Sequence, residues 1–173
     1  MSGFIDKLIS RRSVRSYKPD MVDEETLNEI IKAGTFAPTG MNRQSPVIIA
    51  VTNKELRDKL AALNAEIMNA NIDPFYGAPV VLIVLADKNA PTYVYDGSLV
   101  MANLMLAAHD KGLGSCWIHR AKEEFEREEG KEILSSLGIE GDYEGVGHCI
   151  IGYPADELPE AKPRKDNYVY WVK

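Results

Sequence analysis

The stretch DGSLVMANLMLAAHDK, residues 96–111, decides how the rest of the chain is arranged. Val100, Met101, Ala102, Leu104, Met105, Leu106, Ala107 and Ala108 fall almost all the way round a helix rather than on one stripe. A helix of that kind belongs at the centre of a fold, and Gly112 is placed to end it. Working towards the N-terminus, Asp23 can accept from free amides at the start of a helix whose Leu27, Ile30, Ile31 and Gly34 share one face and which stops at Pro38. Another helix is expected after Asn53, with Leu56, Leu60, Leu63 and Ile67 on one stripe and an end near Asn71. Towards the C-terminus the pattern predicts a single helix over Lys122–Leu137, with Phe125, Ile133, Leu134 and Leu137 inward and Gly138 as its stop. Between the helices stand apolar runs at Val47–Val51, Val80–Ala86, Ser115–Ile118 and His148–Tyr153, suited to strands covered on both faces.

The 173 residues suit one domain, expected over 1–173 with 154–173 as an extended arm. A formal charge of −6 argues against nucleic acid as partner. Met1–Leu8 is interrupted by Asp6 and Lys7, and no run approaches a membrane span, so a cytoplasmic protein is expected. Cys116 and Cys149 sit among apolar neighbours and read as reduced, buried thiols. They form a possible metal set with His119 and His148, but His148 and Cys149 are adjacent in a strand and must point to opposite faces, so no metal site is expected. No strand is followed by a glycine-rich phosphate loop of the dinucleotide or nucleotide-triphosphate type.

The arm contains Pro154, Pro159 and Pro163 and cannot be a central strand or helix. Beyond it, Tyr168-Val169-Tyr170-Trp171-Val172 has strong strand propensity and must be received somewhere. Two hosts are available: its own sheet, or the sheet of a second copy.

Three clusters carry candidate chemistry. Arg11, Arg12, Arg15 and Lys18 place four cations, with Ser13 and Tyr17 among them, in eight positions of an acidic chain. Such a cluster suits a phosphate, or the capping of a helix end. The loop Pro38-Thr39-Gly40-Met41-Asn42-Arg43-Gln44 offers amide groups fit to read the edge of a planar ring, or is a plain connection. Gly112-Leu113-Gly114-Ser115-Cys116-Trp117-Ile118-His119 permits close approach of backbone to a ligand, or is a tight helix-to-strand turn.

Taken in order with Lys162-Pro163-Arg164, these segments resemble the FMN-dependent nitroreductase family over essentially the whole chain. The resemblance implies an α+β fold with a mostly antiparallel sheet around a long central helix. It also implies a homodimer with FMN at the interface and the C-terminal strand exchanged between subunits. By the same likeness Arg11, Lys162 and Arg164 would hold the FMN phosphate, with Arg12 and Ser13 beside phosphate and ribityl chain and Arg15 at the pyrimidine edge. Pro38, Thr39, Gly40 and Asn42 would come from the other subunit, supported by Gln44, and Ile118 and His119 would line the flavin near N5. Asn69 or Asn71 would reach it as well, and Phe75 and Tyr76 would cover the acceptor or anchor the loop before Pro79. NADH or NADPH would be the donor and a nitroaromatic, quinone or free flavin the acceptor, in ping-pong order. A carrier or sensor without nicotinamide turnover, and another chemistry on the same fold such as reductive dehalogenation, are the alternatives. The chain departs from the family's usual residues in two places. Ser45-Pro46-Val47 stands where an aromatic residue is common, and His119-Arg120 where small residues or glycine are frequent.

Overall fold

The computed structural model describes residues 3–173. Among the described residues six α-helices and four strands follow one another: α1 (Phe4–Ser10), α2 (Glu24–Thr35), β1 (Pro46–Val51), α3 (Lys54–Ile67), β2 (Val80–Asp87), α4 (Tyr93–Asp110), β3 (Gly114–Ile118), α5 (Ala121–Glu126), α6 (Glu128–Ser136) and β4 (Tyr143–Gly152). The strands form one sheet in the order β1-β2-β4-β3, and every neighbouring pair is antiparallel. This is the expected α+β arrangement.

Alternation along β2 divides the core. Val80, Leu82 and Val84 face Leu27 and Ile30 of α2 and Val100, Met101 and Leu104 of α4. Val81, Ile83 and Leu85 face Leu60 of α3, Phe125 of α5, Ile133 of α6 and the fully buried Phe75. With both faces covered, all of Val80–Ala86 is out of water, which is why this run is continuously apolar rather than alternating. His148 and Cys149 do fall in opposite layers: His148 meets the Phe75 ring at 5.3 Å, while Cys149 packs in the α2/α4 layer. Cys116 shares the Phe75 layer, so the two thiols are free, buried and on different faces of the sheet. Burial pushes the Cys149 thiol up, with a lesser push from Cys116 on the neighbouring strand.

Both expected caps are present: Asp23 accepts from the Thr26 N–H at 2.8 Å and Asn53 from the Leu56 N–H at 2.9 Å. The bond from Thr26 holds the Asp23 carboxyl below the usual carboxylate range. α2 ends at Thr35, three residues before Pro38. Three other expectations need correction. The single helix over Lys122–Leu137 is two helices, broken at Arg127, which is extended at φ −82°, ψ 162°. Gly130 is the reason: it lays the first turn of α6 directly on the end of α5, where a Cβ would strike the Glu124 carbonyl and Phe125 Cα. β4 begins at Tyr143, not His148; its early glycines are strand positions where Gly145 meets the Ala121 backbone and Gly147 the Trp117 indole. Finally, α4 is central on one side only. Val100, Met101, Leu104 and Ala108 are buried, but Tyr95 and Leu99 are exposed, as are Phe4, Ile5 and Ile9 of α1.

Residues 155–173 are exposed and carry no strand. Tyr168–Val172 does not fold back onto its own sheet: all five residues are exposed, Trp171 by 80%, and the segment pairs with no strand of the described chain. No helix among the described residues is long and apolar enough to cross a membrane.

Candidate active site

The cation segment follows α1 and lies alongside β3. Ser13 bridges Ser115 in parallel, and the Val14 N–H donates to the Ser115 carbonyl at 3.0 Å. Gly114 makes the approach possible, because a Cβ there would sit 2.8 Å from that of Val14. The segment is then fastened to the start of the arm: the Lys18 N–H donates to the Tyr153 carbonyl at 2.9 Å and the Ala155 N–H to the Ser16 carbonyl at 3.0 Å. Tyr17 closes it from inside, its hydroxyl donating to the Val14 carbonyl at 2.8 Å and pushed up by burial beside Cys116 and Cys149.

The two leading arginines behave differently. Arg12 turns back, its Nη1 donating to the Ile9 carbonyl at 2.7 Å and the Arg11 carbonyl at 2.8 Å, so it does the helix-end work expected of a cation there. Yet Arg12 Nε and Arg11 Nη1 are buried and unpartnered. Two buried guanidinium donors with nothing to bond are costly unless a ligand supplies the acceptor. Nearby, Ser10 Oγ and His109 Nε2 lie 2.8 Å apart. Burial, with Lys7 and Arg11 adding repulsion, holds the His109 imidazole below its ordinary value.

Two depressions flank the segment, and Arg15 borders both. One, of about 250 Å³, sets Ser13 and Ser16 opposite Asp156, Glu157 and Pro159, a wall suited to hydroxyl groups rather than to a phosphate. The other, of about 150 Å³, is lined by Arg15, Met68, Ile72, Tyr76, His119 and Arg120 among others. Both are smaller than the roughly 300–1,000 Å³ of ordinary ligand pockets. Ile118 is buried at the floor while His119 is exposed, its ring 6.0 Å from that of Trp117. Of the neighbouring stretch, Met68 and Ile72 form the wall; Asn69 takes the left-handed turn after α3 at φ 51°, and Asn71 is exposed. Tyr76 reaches the wall but Phe75 does not cover anything: it is fully buried beneath the Arg57 guanidinium at 5.4 Å.

The loop 38–44 lies apart from these depressions. Pro38, Asn42 and Gln44 are exposed and Thr39 and Gly40 half-buried. Met41, Asn42 and Gln44 all have positive φ, at 55°, 54° and 51°, a strained run for non-glycine residues. What holds it is Asp96, which the sequence reading treated only as the start of a helix. This carboxylate, 2% exposed, accepts from the Gly40 N–H at 2.9 Å, Ser45 Oγ at 2.9 Å and Thr92 Oγ1 at 3.1 Å. Ser45, in place of an aromatic residue, is thus part of the clamp. Gln44 supports the loop through its N–H, which donates to Thr39 Oγ1 at 3.1 Å, and through Nε2, 3.4 Å from Asn42 Oδ1. Lys162 and Arg164 are exposed in the arm, and neither forms an ion pair among the described residues.

The geometry is thus a basic segment with orphaned guanidinium nitrogens, open clefts on both sides of Arg15, and a rigid amide loop facing elsewhere. The sequence profile of the nitroreductase family matches residues 8–153. The chain belongs to the nitroreductase family. A Bacillus subtilis protein named FMN reductase (NAD(P)H) is 29% identical, the match spanning 95% of this chain and 70% of that one. NADPH-flavin oxidoreductase of Vibrio harveyi is 27% identical over 98% of this chain and 72% of its own. Among solved structures, a nitroreductase with bound FMN from Bacteroides fragilis superposes with a TM-score of 0.88 at 26% identity, covering all of both chains. A second nitroreductase with bound FMN, from Desulfitobacterium hafniense, gives 0.87 at 26% identity, over 99% of this chain and all of that one.

Proposed function

We propose that the protein is a homodimeric FMN-dependent oxidoreductase that passes hydride from NADH or NADPH to a nitroaromatic, quinone or flavin acceptor by a ping-pong mechanism. Family membership, together with relatives named for flavin reduction by nicotinamides, makes it an FMN-dependent NAD(P)H oxidoreductase. The observation that carries the reading of the site is the pair of buried, unpartnered guanidinium nitrogens on Arg11 and Arg12, which fit a phosphate.

When bound, FMN supplies the two-electron chemistry, accepting hydride at N5 and yielding it to the acceptor. The chain's own residues bind and orient. Arg11, with Lys162 and Arg164 from the arm, would hold the phosphate, and Ser13 would bond the ribityl hydroxyls. Arg15, without an ion pair among the described residues and at the junction of the two depressions, would offer positive charge where negative charge develops on reduction. Ile118 and His119 would line the ring, while Thr39, Gly40 and Asn42 from a second subunit, backed by Pro38 and Gln44, would close the cleft. Two observations support assembly: the depressions are smaller than a ligand pocket, and α1, α4 and the arm all expose apolar side chains that a second copy would cover. The exposed Tyr168–Val172 segment would add to the partner's sheet. One cleft serving donor and acceptor in turn gives ping-pong kinetics.

The test is the visible spectrum of the purified protein before and after each nicotinamide is added without oxygen. Yellow protein that bleaches is expected. Colourless protein that takes up no added FMN overturns the proposal, and yellow protein that neither nicotinamide bleaches makes it a carrier.

A further inference from the structure

Arg120 joins β3 to α5 with φ 77°, ψ 8°, a left-handed conformation that favours glycine. A bulky residue held there calls for a reason, and its side chain supplies one. Nε donates to Asn64 Oδ1 at 3.0 Å. Asn64 is fully buried, and its own amide nitrogen donates to the His119 carbonyl at 2.8 Å and to Glu124 Oε1. Glu124 Oε2 in turn lies 3.0 Å from His148 Nε2, both side chains fully buried, though out of line for a well-formed hydrogen bond. One edge of the Arg120 guanidinium is therefore fixed to a rigid polar chain that begins at the middle of the sheet.

The rest of the fork is not satisfied. Nη2 has only the Met68 sulfur at 3.4 Å, a weak acceptor. No carboxylate among the described residues forms an ion pair with Arg120, in a chain that carries 26 Asp and Glu. Of the two depressions it borders, the larger also holds Lys122, Glu123 and Glu144; the one it shares with Arg15 holds His119, Tyr76 and Cys116 as further titratable side chains, no carboxylate, and an apolar wall that includes Met68, Ile72 and Ile118. A planar apolar body with an anionic tail matches that surface. The pre-oriented, unpaired fork matches a carboxylate, which it can meet with two parallel bonds.

We propose that Arg120 is the specificity-determining residue for the acceptor and that the acceptors it selects are small aromatic carboxylates. This rests on the reading of the cleft given above and names the substrate class for it. Asn64 and Glu124 act as positioning residues, through their hold on Arg120.

The experiment compares benzoate with benzamide, unreactive ligands of like shape, by calorimetry on the protein as purified and after FMN is added. It uses wild type, Arg120→Gly, which the left-handed backbone tolerates, and Arg120→Lys. Benzoate is expected to bind about tenfold tighter than benzamide to wild type. Arg120→Gly erases the difference and Arg120→Lys restores part of it. In turnover, kcat/KM for 4-nitrobenzoate falls by about tenfold in Arg120→Gly while that for 4-nitrobenzamide changes much less. Equal affinity for the two ligands, or an equal loss with both acceptors, overturns the proposal. So does a loss confined to reduction by NADPH, which would assign Arg120 to the nicotinamide's phosphate. Calorimetry separates the two levels: discrimination can fail in protein that is yellow and bleached by nicotinamide, and the flavin reading can fail in protein that still prefers benzoate.

Discussion

The segment Arg11–Tyr17 and the arm 154–173 bring cations from opposite ends of the chain, and folding treats them in opposite ways. The first is bonded by its backbone to Ser115 and Tyr153, sealed by the Tyr17 hydroxyl, and keeps two guanidinium nitrogens buried. The second makes its last backbone bond to the remainder of the chain at Ala155, after which its cations and aromatic rings are exposed; Lys165 does no more than lie over the nearby Tyr168 ring at 5.6 Å. Half of the proposed phosphate site is thus complete once a single chain has folded. The other half packs against nothing among the described residues, and its proposed seat is a second copy.

The strongest way to break this contrast is to remove residues 167–173. Covering a large apolar side chain is worth about 1.5–3 kcal/mol, and the deletion takes Tyr168, Tyr170 and Trp171 together. Sedimentation is expected to show monomers, with FMN affinity down by about a hundredfold or more; a truncated chain that still sediments as a yellow dimer would join the two regions into one. A smaller effect sharpens the contrast. Arg11→Ala should weaken FMN binding by about tenfold to a hundredfold, the range for one charge-assisted bond, in full-length and truncated chains alike. Arg164→Ala should do so in the full chain only, if Arg164 reaches the site through assembly as proposed. Fluorescence titration of FMN with the four proteins and the double variants reads the coupling, and an Arg164 effect that survives truncation contradicts it.

The smallest effect belongs to His109 of α4, which meets Ser10 just before the first region. His109 has its imidazole held below the ordinary value by burial and by Lys7 and Arg11, so the unfolded chain binds a proton more readily than the folded one. Its contribution to stability is full above about pH 6.5 and is lost as pH falls through the lowered folded value. Asp23, Asp58 and Asp73 do not confuse that window, since each is held below the carboxylate range. The urea midpoint of the flavin-free protein should therefore drop on acidification towards about pH 5.5, and His109→Gln should flatten the drop. An unchanged slope in that variant removes His109 from the account.

Local chemistry made much of the fold legible. Asp23 and Asn53 announce helices because short side-chain acceptors satisfy the free amides of a first turn, and Val80–Ala86 announces a central strand because both its faces must be apolar. What escaped was decided by close approach between distant segments. Gly130 falls inside the single helix expected over Lys122–Leu137, yet it is where α6 lies on the end of α5; Gly145 and Gly147 precede the strand expected at His148–Tyr153, yet they are strand positions crowded by Ala121 and Trp117. In the site, the cation cluster was visible because four charges in eight positions stand out in an acidic chain. Asp96 was not, since a single Asp beside an apolar helix resembles a helix start; Arg120 stood out only as a departure from the small residues or glycine frequent there, and no local signal reveals its left-handed backbone or its hold on Asn64. The buried chain of Asn64, Glu124 and His148 draws on α3, α5 and β4, and residues so far apart in sequence carry no common pattern.

Asp96 fixes its loop entirely within one subunit, whereas the cleft that loop is proposed to close belongs to the other. A pairing of one Arg11→Ala chain with one Asp96→Ala chain would therefore concentrate both lesions in a single centre and leave its twin whole. Two weakened parents co-expressed in one cell would regain activity, the behaviour of complementing alleles.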